Sequence, residues 1–96
     1  MKLSKAQVRQ LRGHGHHLKP VVMIGQAGIT ENVINELNIA LDHHELIKIR
    51  VSGAERAEKP AILNELCERS HAFLVQSLGH TALLFRRNTK NPKIEV

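Results

Sequence analysis

Two glycines, Gly25 and Gly28, stand between an apolar run, Pro20-Val21-Val22-Met23-Ile24, and Thr30, a residue type that caps helices. The spacing predicts a strand that runs into a glycine-x-x-glycine loop opening directly onto a helix. Glycines let the backbone approach a ligand closely, and the first amides of a helix point outward with partial positive charge. Such an arrangement holds a phosphate. The same two glycines also make an ordinary tight strand-to-helix turn, and both readings stand on the spacing alone. Stronger nucleotide fingerprints are missing: no lysine follows Gly28 as a Walker loop requires, and a dinucleotide turn needs a third glycine.

Cations gather near this loop in the sequence. At about 100° per residue, Lys2, Lys5, Arg9, Arg12 and His16 fall on one stripe of a first helix, with Leu3 and Leu11 opposite. A plain solvated face has the same pattern. Lys19 precedes the first strand, and Lys48 and Arg50 share one face of a second strand, so that face is expected to be open to solvent or a ligand.

Other reactive types make weaker patterns. Among seven histidines, His14, His16 and His17 cluster and His43 adjoins His44, yet no Cys pair or His-x3-His pair completes a zinc set. No metal site is expected. Exposed histidines would add positive charge on acidification. Cys67 lies on an apolar helical stripe and reads as a small core residue. Ser52, Ser70 and Ser77 lack an accompanying elbow or His-plus-acid pattern, so no catalytic residue and no cofactor is expected.

The elements that must position these residues follow from periodicity and punctuation. Ser4 caps a first helix running to about Arg12 or a little beyond, where Gly13 and Gly15 are expected to break it. Ile29 and Ile34 bracket Thr30 at the spacing of a hydrophobic staple. A second helix presents Val33, Ile34, Leu37, Ala40 and Leu41 inward and ends near His43-His44-Glu45. A strand over 46–51 follows. A third helix starts close to Pro60 and buries Ile62, Leu63, Leu66 and Cys67. Strands over 72–78 and 81–86 join through Gly79-His80, a type II′ hairpin turn. Residues 87–96 read as a polar, basic, loosely held tail.

The order helix-strand-helix-strand-helix-strand-strand predicts one α/β domain over residues 1–96, with a four-stranded mixed sheet and three helices. Its 96 residues carry 14 Lys and Arg against 9 Asp and Glu, a net charge of +5. That surplus favours polyanions through counterion release. Two phenylalanines, Phe73 and Phe85, are the whole aromatic complement, too few for a base-stacking platform. A nucleic-acid partner would therefore be held by backbone and shape. A single cysteine, no long apolar run and no leader pattern lead us to expect a cytoplasmic protein without a membrane partner.

Three blocks together resemble the CRM domain, named for chloroplast RNA splicing and ribosome maturation. They are Leu18-Lys19-Pro20-Val21-Val22…Gly25-Gln26-Ala27-Gly28-Ile29-Thr30, His43-His44-Glu45-Leu46-Ile47-Lys48-Ile49, and Gly79-His80-Thr81…Leu84-Phe85-Arg86. The likeness spans about residues 3–86, and a lone domain of this length looks like the stand-alone bacterial YhbY type. The resemblance implies a fold similar to the C-terminal domain of translation initiation factor three. It also implies RNA binding during assembly of the large ribosomal subunit, with no catalysis. The family's glycine loop carries over onto Gly25, Gln26, Ala27 and Gly28. RNA-clamping loops of this kind commonly place a basic or amide residue at each middle position, and Ala27 is neither.

The reading is thus an RNA-binding protein, a monomer, that clamps precursor rRNA through Gly25–Gly28 and the start of the second helix. Lys2, Lys5, Arg9, Arg12 and Lys19 extend its footprint, and Lys48, Arg50, Arg86 and Arg87 add contacts, with Lys90 and Lys93 in the tail. An enzyme or regulator of a phosphorylated small molecule, and a protein-interaction adaptor on the ribosome, are the alternatives.

Overall fold

Ser4 opens the first helix, α1 (Lys5–Gly15), in a full capping box: its hydroxyl accepts from the Gln7 amide (3.1 Å), and its own amide donates to the Gln7 side chain (2.9 Å). A computed structural model describes residues 3–53 and 57–94 of the chain. Lys2 lies outside the described residues. Gly13 does not break α1. The helix runs through Gly13 and ends on Gly15, its last residue, which is where it meets the sheet, since a Cβ there would lie 2.4 Å from Leu83 Cδ1. Glycine at that position permits close helix-to-sheet approach.

The remaining elements follow in the expected order: β1 (Pro20–Ile24), α2 (Glu31–His44), β2 (Leu46–Val51), α3 (Lys59–Ser70), β3 (Phe73–Leu78) and β4 (Thr81–Phe85). The strands lie in the order β1-β2-β4-β3. β1 pairs parallel to β2, and β4 runs antiparallel to both β2 and β3. α2 is therefore a crossover between parallel neighbours, while the α3 connection leaves a gap that β4 fills from the hairpin. Gly79 at the hairpin has φ 58° and His80 does not have a positive φ, the pattern of a type II′ turn.

The sheet separates two cores. On one face Ile47, Ile49 and Val51 of β2 and Val22 and Ile24 of β1 pack beneath Ile34, Leu37 and Leu41 of α2 and Leu63 and Leu66 of α3. The period of two on the strands and 3.6 on the helices brings these side chains to one layer. Truncating one of them, such as Leu37→Ala, removes about 2–5 kcal/mol of stability. On the other face α1 covers only part of the sheet, burying Leu11 against Leu46, Val75, Leu83 and Phe85.

Through Ile94 the tail is not loose. Glu45, which ends α2 with φ 61°, is fully buried. Its carboxylate accepts backbone amides from Asn88 (2.6 Å), Lys93 (2.5 Å) and Ile94 (2.7 Å). Ile94 packs into the α1 core. Burial pushes the Glu45 carboxyl up, but the three amides and the Arg87 guanidinium 3.9 Å away outweigh it and hold the pKa below its ordinary value. A sequence of polar, basic residues reads as solvated, because the acceptor that orders it lies more than forty positions earlier.

Candidate nucleic-acid interface

Gly25 to Gly28 form a turn closed by the Gly28 amide donating to the Gly25 carbonyl (3.0 Å). The two glycines differ in what they require. Gly28 has φ 74°, a conformation that favours glycine. Gly25 has no such angle, and a Cβ on either would meet nothing within 4 Å among the described residues. The turn accounts for Gly28 but not for Gly25. Between them Gln26 and Ala27 are exposed, and among the described residues their amides meet no acceptor. Two unpartnered amides in a tight turn with open space outside make a small anion cradle.

The start of α2 contributes less than the spacing suggests. Thr30 Oγ1 already accepts from the Val33 amide (3.2 Å), and Glu31 brings a carboxylate into the first turn. Both groups complement the helix end that a phosphate would use. The cradle is therefore the loop itself.

Two segments hold the loop from below. The Ser52 amide donates to the Ile24 carbonyl (2.8 Å), and Gly53, φ 77°, packs against Gln26. On the neighbouring strands, the Val51 amide donates to the His80 carbonyl (2.7 Å), and the Lys59 ammonium donates to the carbonyls of Gly79 and Thr81. The glycine loop, the Ser52-Gly53 turn and the β3–β4 hairpin thus share one end of the sheet. Beside Ser52, Gly53 has the look of a plain turn residue in the sequence; its fit under Gln26 depends on the parallel pairing of β1 with β2.

The predicted cations divide into three groups. Arg50 lies opposite Met23 and Lys48 opposite Pro20, on the sheet face that α1 leaves open, so both flank the strand that carries the loop. Lys19 is exposed just before that strand. Among the described residues none of these three forms an ion pair.

Lys5, Arg9 and Arg12 are exposed on α1. At about 100° per residue they lie about 100–160° from buried Leu11, on the flank away from His14, and it is His14 that faces β1. They form a second cationic strip, separated from the loop by the helix.

Arg86 and Arg87 hold the fold together instead of facing outward. Arg86 donates to Asn38 Oδ1 (2.8 Å), the Asn38 carbonyl (3.2 Å), the Ser70 carbonyl (2.7 Å) and Asp42 Oδ1 (2.8 Å). It ties α2 to the end of α3. Arg87 donates to the Ile94 carbonyl (2.8 Å) and lies over the Phe85 ring, 5.7 Å from its centre. Lys90 and Lys93 are exposed on the ordered tail.

Sequence reasoning also missed the apolar part of this surface. Val21, Met23 and Leu78 are 54%, 63% and 68% exposed. Met23, Arg50, Thr81 and Leu78 stand in register as one row across all four strands. The unbroken apolar run of β1 suggests a strand buried on both faces. Instead β1 is an edge strand covered on one side. Beside α1 the same face forms a groove of about 370 Å³, whose walls include Leu18, Val21, Leu46, Ile94, Lys19 and Lys48. Elsewhere, burial pushes the Cys67 thiol up, as expected of a side chain on the inner stripe of α3.

The CRS1 / YhbY (CRM) domain profile matches residues 3–86. The chain belongs to the CRM-domain family. Among its relatives, Probable RNA-binding protein PA4753 of Pseudomonas aeruginosa is 47% identical over 93 residues, covering 97% of this chain and 89% of that protein. A protein of Haemophilus influenzae named RNA-binding protein is 48% identical over 84 residues, covering 88% and 85% of the two chains. The solution structure of SAV1595 from Staphylococcus aureus superposes with a TM-score of 0.85 at 33% identity, over 99% of each chain. The CRM match takes in α1, the glycine loop and all four strands, and stops at Arg86, so the Glu45-bound tail lies beyond it.

Proposed function

We propose that this CRM-domain protein binds RNA and acts in ribosome assembly, on precursor rRNA of the large subunit. In this reading it is a cytoplasmic monomer without catalytic activity. A backbone phosphate sits on the Gln26 and Ala27 amides, Lys48, Arg50 and Lys19 supply attraction along β1 and β2, and the α1 strip extends the footprint. The observation that carries the reading is the pair of unpartnered amides between two glycines, with open space in front and cations behind. The names of close relatives support RNA as the partner. The ribosomal role rests on the family resemblance.

The test uses the tagged protein in lysate gradients at low and moderate salt, with its crosslinked RNA sequenced, in wild type and Gly25→Asp. Wild type is expected to travel with large-subunit precursors in a salt-sensitive way, with reads focused on one rRNA region. Gly25→Asp, which has room for its side chain, is expected to stay folded and move to the top of the gradient. Wild type at the top with no enriched RNA overturns the reading and favours a small phosphorylated ligand on the same amides. Salt-insensitive migration with the ribosome favours a protein adaptor.

A further inference from the structure

We infer that the groove beside α1 is a nucleobase subsite for the same RNA strand whose phosphate the glycine loop holds, an inference that rests on the RNA-binding reading above. Its walls combine two features that seldom meet on a free surface. Leu18, Val21, Leu46 and Ile94 make it apolar, with Leu18 and Val21 substantially exposed. Lys19 and Lys48 line it as well, beside His14 and His44, and among the described residues no carboxylate does. An occupant matched to both has a flat apolar body bearing an anionic group, which describes a nucleotide. A neutral apolar peptide would leave the lysines unmatched, and an acidic one would leave the floor unmatched.

Placement and shape agree. Alternation along β1 puts Val21 on the face opposite buried Val22 and Ile24, and there it lines the groove. Four strand residues at about 3.3 Å each put Val21 about 13 Å from Gly25. A few nucleotides of extended single strand bridge that distance along the open sheet face, past Lys48 and Arg50. At about 370 Å³ the groove is near the small end of the about 300–1,000 Å³ range of ligand pockets, with room for one base and its sugar. Phe, Tyr and Trp are absent from its walls; the aliphatic side chains bury a base without sequence readout, and the exposed His14 and His44 rings that also line it can stack on one.

The test compares hexauridylate with an abasic oligomer of equal length, which keeps the phosphates and loses the bases. The variant is Leu18→Asn/Val21→Thr, neutral at both positions and confined to exposed side chains. Hexauridylate is expected to bind it about tenfold more weakly than wild type, in the range that base contacts carry. The abasic oligomer is expected to bind both proteins equally. Equal losses for the two oligomers, or no loss for either, overturn the subsite. Gly25→Asp run in parallel is expected to weaken both oligomers, so failure of the loop reading shows separately. Uridine monophosphate binding as tightly as hexauridylate would overturn the RNA-strand assignment in favour of a free nucleotide.

Discussion

Gly53 lies directly beneath Gln26: a Cβ at Gly53 would sit 2.7 Å from Gln26 Cγ and 3.1 Å from the Gln26 amide nitrogen. The turn after β2 thus sets the height of the loop after β1. The parallel pairing of Ile24 with Val51 brings the two together. Gly53→Ala must shift the Gln26 backbone and also place a side chain at φ 77°. We expect it to lower stability by about 1–2 kcal/mol. RNA affinity of the folded fraction should fall as well. Urea melts and RNA titrations at one temperature separate the two effects.

The two loop glycines should respond oppositely to alanine. Gly25 has open space and no positive φ, so Gly25→Ala should leave stability unchanged or raise it by up to about 1 kcal/mol through a stiffer unfolded chain. Gly28→Ala, at φ 74°, should cost about 1 kcal/mol. Thermal melts of the two variants check this. A Gly25→Ala protein as unstable as Gly28→Ala would show that Gly25 serves the fold.

Arginines of the same charge should separate by location. Arg86→Ala removes four hydrogen bonds, leaving Asn38 Oδ1 and the Ser70 carbonyl without their Arg86 donor, and should cost about 2–4 kcal/mol in urea denaturation. Arg9→Ala with Arg12→Ala touches only exposed side chains and should change stability by less than about 0.5 kcal/mol. If the α1 strip contacts phosphates, that double variant should instead reduce the slope of log affinity against log salt by about 2. An unchanged slope would remove α1 from the interface.

Glu45 gives the fold a specific acid sensitivity. Its folded pKa is depressed, so its contribution to stability is present above its unfolded value, near 4.5, and is lost as pH falls through the folded value. Protonation leaves the three amides of Asn88, Lys93 and Ile94 facing a neutral, weaker acceptor. Hydrogen exchange should show these amides losing protection on acidification before the β2–β4 ladder does. Glu45→Gln should be less stable at neutral pH, by about 2 kcal/mol, and flatter below pH 4.5.

Much of this was legible in the chain because local rules carried it. Ser4, Thr30 and Pro60 mark helix starts through interactions within four residues, and alternation over Ile47, Ile49 and Val51 assigns one strand face. Gly15 shows where local rules run out. Read along the helix it is a breaker; read against Leu83 it is the contact that lets α1 lie close. Local rules run out at Arg86 too, since its four acceptors come from residues 16 to 48 positions away.

The order of helices and strands, the glycine-x-x-glycine turn after β1 and the excess of cations depend on neighbouring residues or on composition, so the chain carries them before it folds. Which cations face outward was settled by packing. Register across β1, β2 and β4 set Arg50 beside Met23 on an open face, while burial of Glu45 and the α2–α3 packing drew Arg87 and Arg86 inward. Hydrogen-bond partners for a charged side chain are selected by proximity in space, and proximity between residues forty positions apart exists only once the sheet has formed.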